Sequence, residues 1–445
     1  MDIAYSDYGR ASITPAPVNR LMTQFAHDFR DGIDINLGVG YVNENTIPVD
    51  HIREALDVVA GDPARYRQAF NYGSAAGSAN LVAALRRVLA GRSGLDEATL
   101  ARNRLAIGAC GATSILDSLA RVFEPGIVIT SDPSYYIYTD ALERCGFDIL
   151  AIPEDAEGID LAILERKLAG LGRDRGRIAF LYVVTVNNPS CTVLSNGRRR
   201  ALYDVAARLS AEQGRAIPIF YDAAYELLLH DPKAEPFASV LPDDDLHLAY
   251  EIGTLSKILA PALRIGYILG PGGPLIDALV QRTSDAGFSA PLFVQEMAGY
   301  LLESRVEAQV RAVNDGYRTK ALATKRAIEN GLGPLLEEMR GGSAGFYYYL
   351  TFRDIATHPR SRFFEFLTRT TGDPVVDGPP GSRRRRVMYI PGSYCVHAKG
   401  DLAETGRRQL RLSYGFENAG SIEEAIGFMR DAAKSASVSG TVAAR

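Results

Sequence analysis

Thr254-Leu255-Ser256-Lys257-Ile258-Leu259-Ala260-Pro261-Ala262-Leu263-Arg264-Ile265-Gly266-Tyr267 is the stretch from which the rest of the chain can be read. A lysine set among apolar neighbours loses solvation, so its ammonium group gives up its proton more easily and the free amine becomes nucleophilic toward an aldehyde. Arg264, with the hydroxyls of Thr254 and Ser256, supplies the donors that hold a doubly charged phosphate group. Taken alone, a lysine before a turn also fits a surface position. The neighbouring motifs decide between the two readings.

Moving toward the N-terminus, Phe220-Tyr221-Asp222-Ala223-Ala224-Tyr225 places a carboxylate at the end of a β-rich run, with a tyrosine three residues on. Such a carboxylate can pair with a protonated heteroaromatic nitrogen, and it can equally cap a turn. Tyr225 also fits core packing. In Val186-Asn187-Asn188-Pro189-Ser190, proline holds Asn188 extended, which suits an amide aimed at a ring oxygen as well as an ordinary turn. Gly108-Ala109-Cys110-Gly111-Ala112-Thr113 opens a helix expected to begin near Ser114, and its free N–H groups offer a seat for an anion.

Around these motifs, short β-rich runs alternate with helical stretches. Leu105–Ile107, Ile127–Thr130, Ile178–Val186 and Ile217–Tyr221 read as strands. Helices are expected over Ser78–Leu89, Ser114–Phe123, Tyr136–Arg144 and Arg199–Gln213. Apolar runs without period-two alternation indicate strands covered on both faces, so the expected core is a mostly parallel sheet between helices. Phe293–Lys325 reads as one long helix leading to a smaller C-terminal unit. That unit has strand candidates at Phe346–Phe352, Val387–Ile390 and Gln409–Tyr414, and helices at Ser361–Thr370 and Ile422–Ser435. The basic run Arg383–Arg386, next to Pro379-Pro380-Gly381, reads as a solvated loop, and the polar tail after Lys434 as frayed.

In order along the chain, Gly111-Ala112-Thr113 at a helix start, Asp132-Pro133-Ser134-Tyr135, Asn188-Pro189, Asp222 with Tyr225, Ser256-Lys257 and Arg264 resemble fold-type I, pyridoxal-phosphate-dependent aminotransferases of class I/II. The resemblance extends from about Asn36 to Phe416. It implies an α/β fold, with a large domain built on a mostly parallel seven-stranded-type sheet flanked by helices, and a smaller α+β domain. The corresponding boundaries are an N-terminal segment and substrate lid over 1–70, a cofactor-binding domain over 71–310 and a small domain over 311–445. By the same resemblance Lys257 carries pyridoxal 5'-phosphate as a Schiff base and shuttles a proton. Asp222 pairs with the ring nitrogen, Asn188 and Tyr225 hold the ring 3-oxygen, and Tyr135 stacks on the ring face. Gly111, Ala112, Thr113, Thr254, Ser256 and Arg264 form the phosphate cup. Tyr72 reaches the phosphate of a neighbouring subunit, which implies a homodimer. Arg411 takes the substrate carboxylate, and Gly40 and Tyr41, in Leu37-Gly38-Val39-Gly40-Tyr41, belong to the segment that closes over the amino-acid substrate beside Asn188.

Two features depart from the family pattern. Cys191 stands where glycine is usual, which restricts access to positive φ. The stretch Gly40–Pro48 carries extra polar groups in place of the commoner Gly-Gly-x-Pro. Transamination is the leading expectation, and these departures support elimination, replacement or cyclisation as the alternative. A regulator using the same domain as a sensor is the third reading; it would need a DNA-binding segment ahead of a pattern that begins within about 40 residues of Met1.

The composition narrows the partners. A net charge of −4 gives no general attraction to nucleic acid or anionic membrane. The four cysteines form no CxxC pair and no histidine stands at metal-ligand spacing, so neither a metal nor a disulfide framework is expected. The polar start and the absence of a long apolar run point to a cytoplasmic protein without a membrane span.

Overall fold

The structure, a computed structural model, describes residues 3–379 and 381–442. Met1, Asp2, Pro380 and residues 443–445 lie outside the described residues, and with them part of the Pro379-Pro380-Gly381 turn and of the expected frayed tail.

An eight-stranded sheet forms the centre, in the spatial order Asn103–Ile107, Gly266–Pro271, Ala249–Thr254, Ile219–Asp222, Ile178–Val184, Ile127–Asp132, Asp148–Asp155 and Gly158–Ile159. The five strands from Ala249–Thr254 across to Asp148–Asp155 pair in parallel. Gly266–Pro271 runs against both of its neighbours, and the two-residue edge strand Gly158–Ile159 is also antiparallel. The seven longer strands therefore correspond to the expected sheet. All seven residues of Ile178–Val184 are buried, because helices cover both faces and leave no polar side for alternation to serve.

Local chemistry explains where helices start. Ser78 caps Ala79–Leu89 by accepting from the Leu81 amide at 3.3 Å, and Leu81, Ala84, Leu85 and Val88 form its buried stripe. The helix expected at Ser114 begins earlier, at Gly111, and runs to Val122. Beyond the central sheet, Leu336–Gly341, Tyr347–Phe352, Gln409–Ser413 and Ile390–Pro391 form a second, four-stranded antiparallel sheet. Beside it the helices Arg362–Thr368 and Ala419–Val442 pack on each other, with Phe363 of the first against Phe352 of the sheet at 5.4 Å, and the last helix runs on well past Lys434.

Three expectations need correction. The single helix over Phe293–Lys325 is two helices, Leu292–Ser304 and Val306–Leu332. Arg305 between them leaves the helical region at φ −134° and turns its guanidinium toward Glu54 at 3.1 Å. The strand over Val387–Ile390 splits at Tyr389: Val387–Met388 pairs in parallel with Ile35–Asn36 and Ile390–Pro391 joins the antiparallel sheet. The Arg383–Arg386 run is a loop with Arg383 and Arg384 exposed, as expected, but it is not solvated throughout: Arg386 is buried and bridges Asp28 and Asp34, while Arg383 pairs with Asp28 and Arg385 with Glu424. Adjacent basic residues here fasten the N-terminal segment to the C-terminal part of the chain.

Candidate active site

Parallel strands all end on one edge of their sheet, and the loops leaving that edge are where open α/β sheets gather polar groups. Asp222 is the last residue of its strand, Lys257 follows Ala249–Thr254 by three residues, and Asn188 follows Ile178–Val184 by four. Together with Tyr135 and the start of the helix Gly111–Val122, they line one cavity of about 310 Å³. Arg411 and Tyr347, from the antiparallel sheet, close it from the other side, and Val39, Gly40 and Tyr41 form part of its rim.

Lys257 is enclosed, with its Nζ 5.4 Å from the ring centre of Tyr225 and 5.5 Å from that of Phe346. Burial, then the positive charges of Arg411 and Arg264, lower its pKa to about 8, against the opposing pull of Asp222. Asp222 is held by Tyr182, whose hydroxyl donates at 2.7 Å, and by the Ala224 amide at 3.0 Å. Burial raises the pKa of its carboxyl, so a cation brought to it would gain strongly.

Three pieces of chain converge at one end of the cavity. The Thr254 hydroxyl donates to the Ile265 carbonyl at 2.7 Å, which leaves Ser256 Oγ, 3.0 Å away, to donate to it, and it accepts from the Ser256 amide at 3.1 Å. Arg264 adopts φ +53° and anchors its guanidinium on the carbonyls of Pro261 and Cys110, each at 3.2 Å. Gly111 sits at φ +67°, and a Cβ there would lie 2.7 Å from Arg264 Nη2. Only glycine allows the helix start and that guanidinium to converge.

Arg411 is buried beneath the opening. Its Nη1 donates to Asn188 Oδ1 at 2.8 Å and its Nη2 to the Gly38 carbonyl, while its Cζ lies 4.3 Å from the ring centre of Tyr347. Among the described residues no carboxylate pairs with it. Because Asn188 accepts from Arg411 through oxygen, its Nδ2 group is the donor left for another acceptor. Tyr41 is half exposed at the rim, its ring edge-on to Phe416 at 5.5 Å. Tyr72 is outside this cavity: it is 76% exposed and rests on Phe288 at 5.2 Å.

Cys191 corrects a further expectation. It takes φ +52° in spite of its side chain, the conformation a glycine would supply, and its amide donates to the Asn187 carbonyl at 2.6 Å. The departure in residue type is therefore not a departure in backbone course. Sequence reading missed Tyr182 and Tyr347. A single tyrosine within an aliphatic buried run was the available signal for Tyr182, since a buried phenol needs a partner. For Tyr347 no signal separates it from Tyr348 and Tyr349 until strand direction is known.

The model of the family Aminotransferase class I and II matches residues 32–358. The chain belongs to this family. It is 25% identical over 426 residues to the uncharacterized HTH-type transcriptional regulator YisV of Bacillus subtilis, covering 95% of this chain and 78% of the relative. It is 25% identical over 357 residues to the mitochondrial kynurenine/alpha-aminoadipate aminotransferase of Bos taurus, covering 76% and 81% of the two chains. Its fold matches the multiple substrate aminotransferase of Thermococcus profundus with a TM-score of 0.81 at 22% identity, over 97% of each chain. Family membership brings pyridoxal 5'-phosphate as cofactor, and the donor set fits that group: a glycine-lined cradle with a fixed guanidinium, an enclosed amine, and a buried carboxylate supported only by a phenol and an amide.

Proposed function

We propose that this chain transfers the amino group of an α-amino acid, using Lys257 as the proton-moving amine and Arg411 as the receptor for the α-carboxylate. The observation that carries the reading is the pairing of an enclosed, readily deprotonated amine with a buried guanidinium that no carboxylate among the described residues neutralises. Pyridoxal phosphate, when bound, supplies an aldehyde that captures amines and a ring that takes up electron density from the substrate's α-carbon.

The roles of the chain's own residues follow from their chemistry. Gly111, Ala112, Thr113, Thr254, Ser256 and Arg264 bind the phosphate, and Asp222 holds the proton on the ring nitrogen, with Tyr182 fixing its carboxylate. Asn188 Nδ2 and Tyr225 orient the ring oxygen, and Tyr135 covers one ring face. Arg411 would orient the substrate so that its α-hydrogen faces Lys257, whose amine is the base placed to take up and move that proton. Val39, Gly40 and Tyr41 help to exclude water from above.

Besides Lys257, the cations lining the cavity are Arg264, on the phosphate side, and Arg411, whereas Tyr41, Tyr135, Tyr136, Ile137 and Tyr347 offer ring and aliphatic surface. An aromatic or large apolar side chain suits that lining best. The kynurenine/alpha-aminoadipate relative supports an amino acid of this size. A second copy of the chain would cover the exposed rings of Phe70, Tyr72 and Phe288, with Tyr72 reaching the partner's phosphate seat. No described helix is long and apolar enough to cross a membrane, and no group of metal-ligating side chains occurs among the described residues.

The test is a half-reaction. Holoenzyme mixed with one amino acid at a time, without keto acid, is expected to convert its visible band to that of the amine form of the cofactor, fastest with aromatic donors. Failure with every α-amino acid would overturn transamination. The similarity to YisV along 95% of this chain favours one other reading, an effector-sensing domain, and that reading expects binding without turnover.

A further inference from the structure

Tyr347 is 1% exposed and opens the strand Tyr347–Phe352, opposite Ser413 in the neighbouring strand. Its ring lies 4.3 Å from Arg411 Cζ, and its hydroxyl is 3.2 Å from the hydroxyl of Tyr225. A third segment also bears on it, since a Cβ at Gly40 would stand 2.5 Å from that hydroxyl. Phenylalanine would fill the same volume against Arg411. The hydroxyl is therefore the group that packing does not explain, and it touches Tyr225.

Counting protons gives the direction of that contact. Each phenol has one proton to donate. On the function proposed above, Tyr225 directs its proton to the ring oxygen of the cofactor, so its own oxygen is the acceptor and Tyr347 is the donor. A donor that itself accepts a hydrogen bond is polarised and donates more strongly. We propose that Tyr347 is a positioning residue for this reaction: it donates to Tyr225, strengthens Tyr225 as a donor to the cofactor, and so lowers the proton affinity of the nitrogen that joins Lys257 to it. This inference rests on the proposed function. The other groups facing Tyr347 are Arg411, the thiols of Cys191 and Cys395 and the phenols of Tyr135, Tyr136, Tyr317 and Tyr414, and those acting on Lys257 are Asp222, Arg264 and Arg411. Tyr347→Phe leaves all of them in place.

The experiment is a pH titration of the visible absorbance of holoenzyme for the parent, Tyr347→Phe, Tyr225→Phe and the double variant. In Tyr347→Phe the midpoint is expected to move to higher pH by roughly half a unit, as for one neutral hydrogen bond acting at one remove. Tyr225→Phe is expected to move it further in the same direction, and adding Tyr347→Phe to it to change nothing more, because the path runs through Tyr225. An unchanged midpoint in Tyr347→Phe, or an equal shift in the Tyr225→Phe background, would overturn the proposal. Should Tyr347→Phe not load cofactor, Gly40→Ala displaces the same hydroxyl from the opposite side. It is expected to shift the midpoint alkaline as well, and a parental midpoint there overturns the proposal too. A parent protein lacking any borohydride-reducible visible band is a different result, and it removes the functional reading itself.

Discussion

Two buried arginines in this molecule are treated in opposite ways. Arg386 is 4% exposed and is surrounded by carboxylates: Asp34 accepts from it at 2.9 Å and Asp28 at 2.8 Å, with Phe25 stacked on its guanidinium. Arg411 is 2% exposed and has only the neutral oxygens of Asn188 and Gly38, with Tyr347 and Tyr136 beside it. Paired charge of the first kind satisfies both partners and fastens the segment holding Asp28 and Asp34 to the chain around Arg386. Charge of the second kind carries a desolvation cost that the protein's own acids do not offset, and a ligand anion can offset it. Burial alone therefore does not distinguish these two arginines, and their partners do.

The comparison can be broken most directly at Arg411. Arg411→Gln keeps a donor for Asn188 or Gly38 and removes the cation. It is expected to lower kcat/KM for amino acids by about 10³-fold, while thermal unfolding shows equal or higher stability. A marked loss of stability would mean that this charge is structural after all. A smaller effect of the opposite type is expected at Asp34. Asp34→Asn leaves Arg386 and Arg30 underpaired and should reduce stability by about 3 kcal/mol in urea unfolding, with kcat/KM per folded molecule unchanged.

The smallest effect sharpens the same contrast through pH. Burial pushes the Asp34 carboxyl up, but hydrogen bonds from Arg30 and Arg386 outweigh it and hold the pKa at about 2, below the usual 3.8. A depressed carboxylate adds stability that is complete above the unfolded value and disappears as pH falls from 3.8 through 2. That contribution is about 2 kcal/mol. Equilibrium unfolding across this window should show a steeper acid loss in the parent than in Asp34→Asn. Parallel acid limbs would place the linkage elsewhere.

How much of this was legible beforehand depends on the range of the interactions concerned. The strand at Ile178–Val184 and the helix Tyr136–Arg144 were readable because apolar runs and helical spacing are local properties. Several residues lining the cavity were readable because each stands at or just beyond a strand end, or at a helix start, within its own motif. The break at Arg305 was not readable, since helical spacing continues on both sides of it and its partner Glu54 lies far away in sequence. Nor was the Arg383–Arg386 run, whose basic residues look solvated until Asp28, Asp34 and Glu424 are brought beside them. Cys191 misled for the reverse reason: residue type opposes positive φ, and the surrounding structure imposes it.

By itself the order of residues determined the strand and helix alternation, the family, and the lysine and carboxylate that line the cavity, because those features are written in short motifs. Only the tertiary structure decided that Arg386 is paired with acids and Arg411 is not, that Tyr182 supports Asp222, and that one of three successive tyrosines reaches Tyr225. These are contacts between segments far apart along the chain. Their geometry is set by strand register and by the packing of two sheets, which no local pattern encodes.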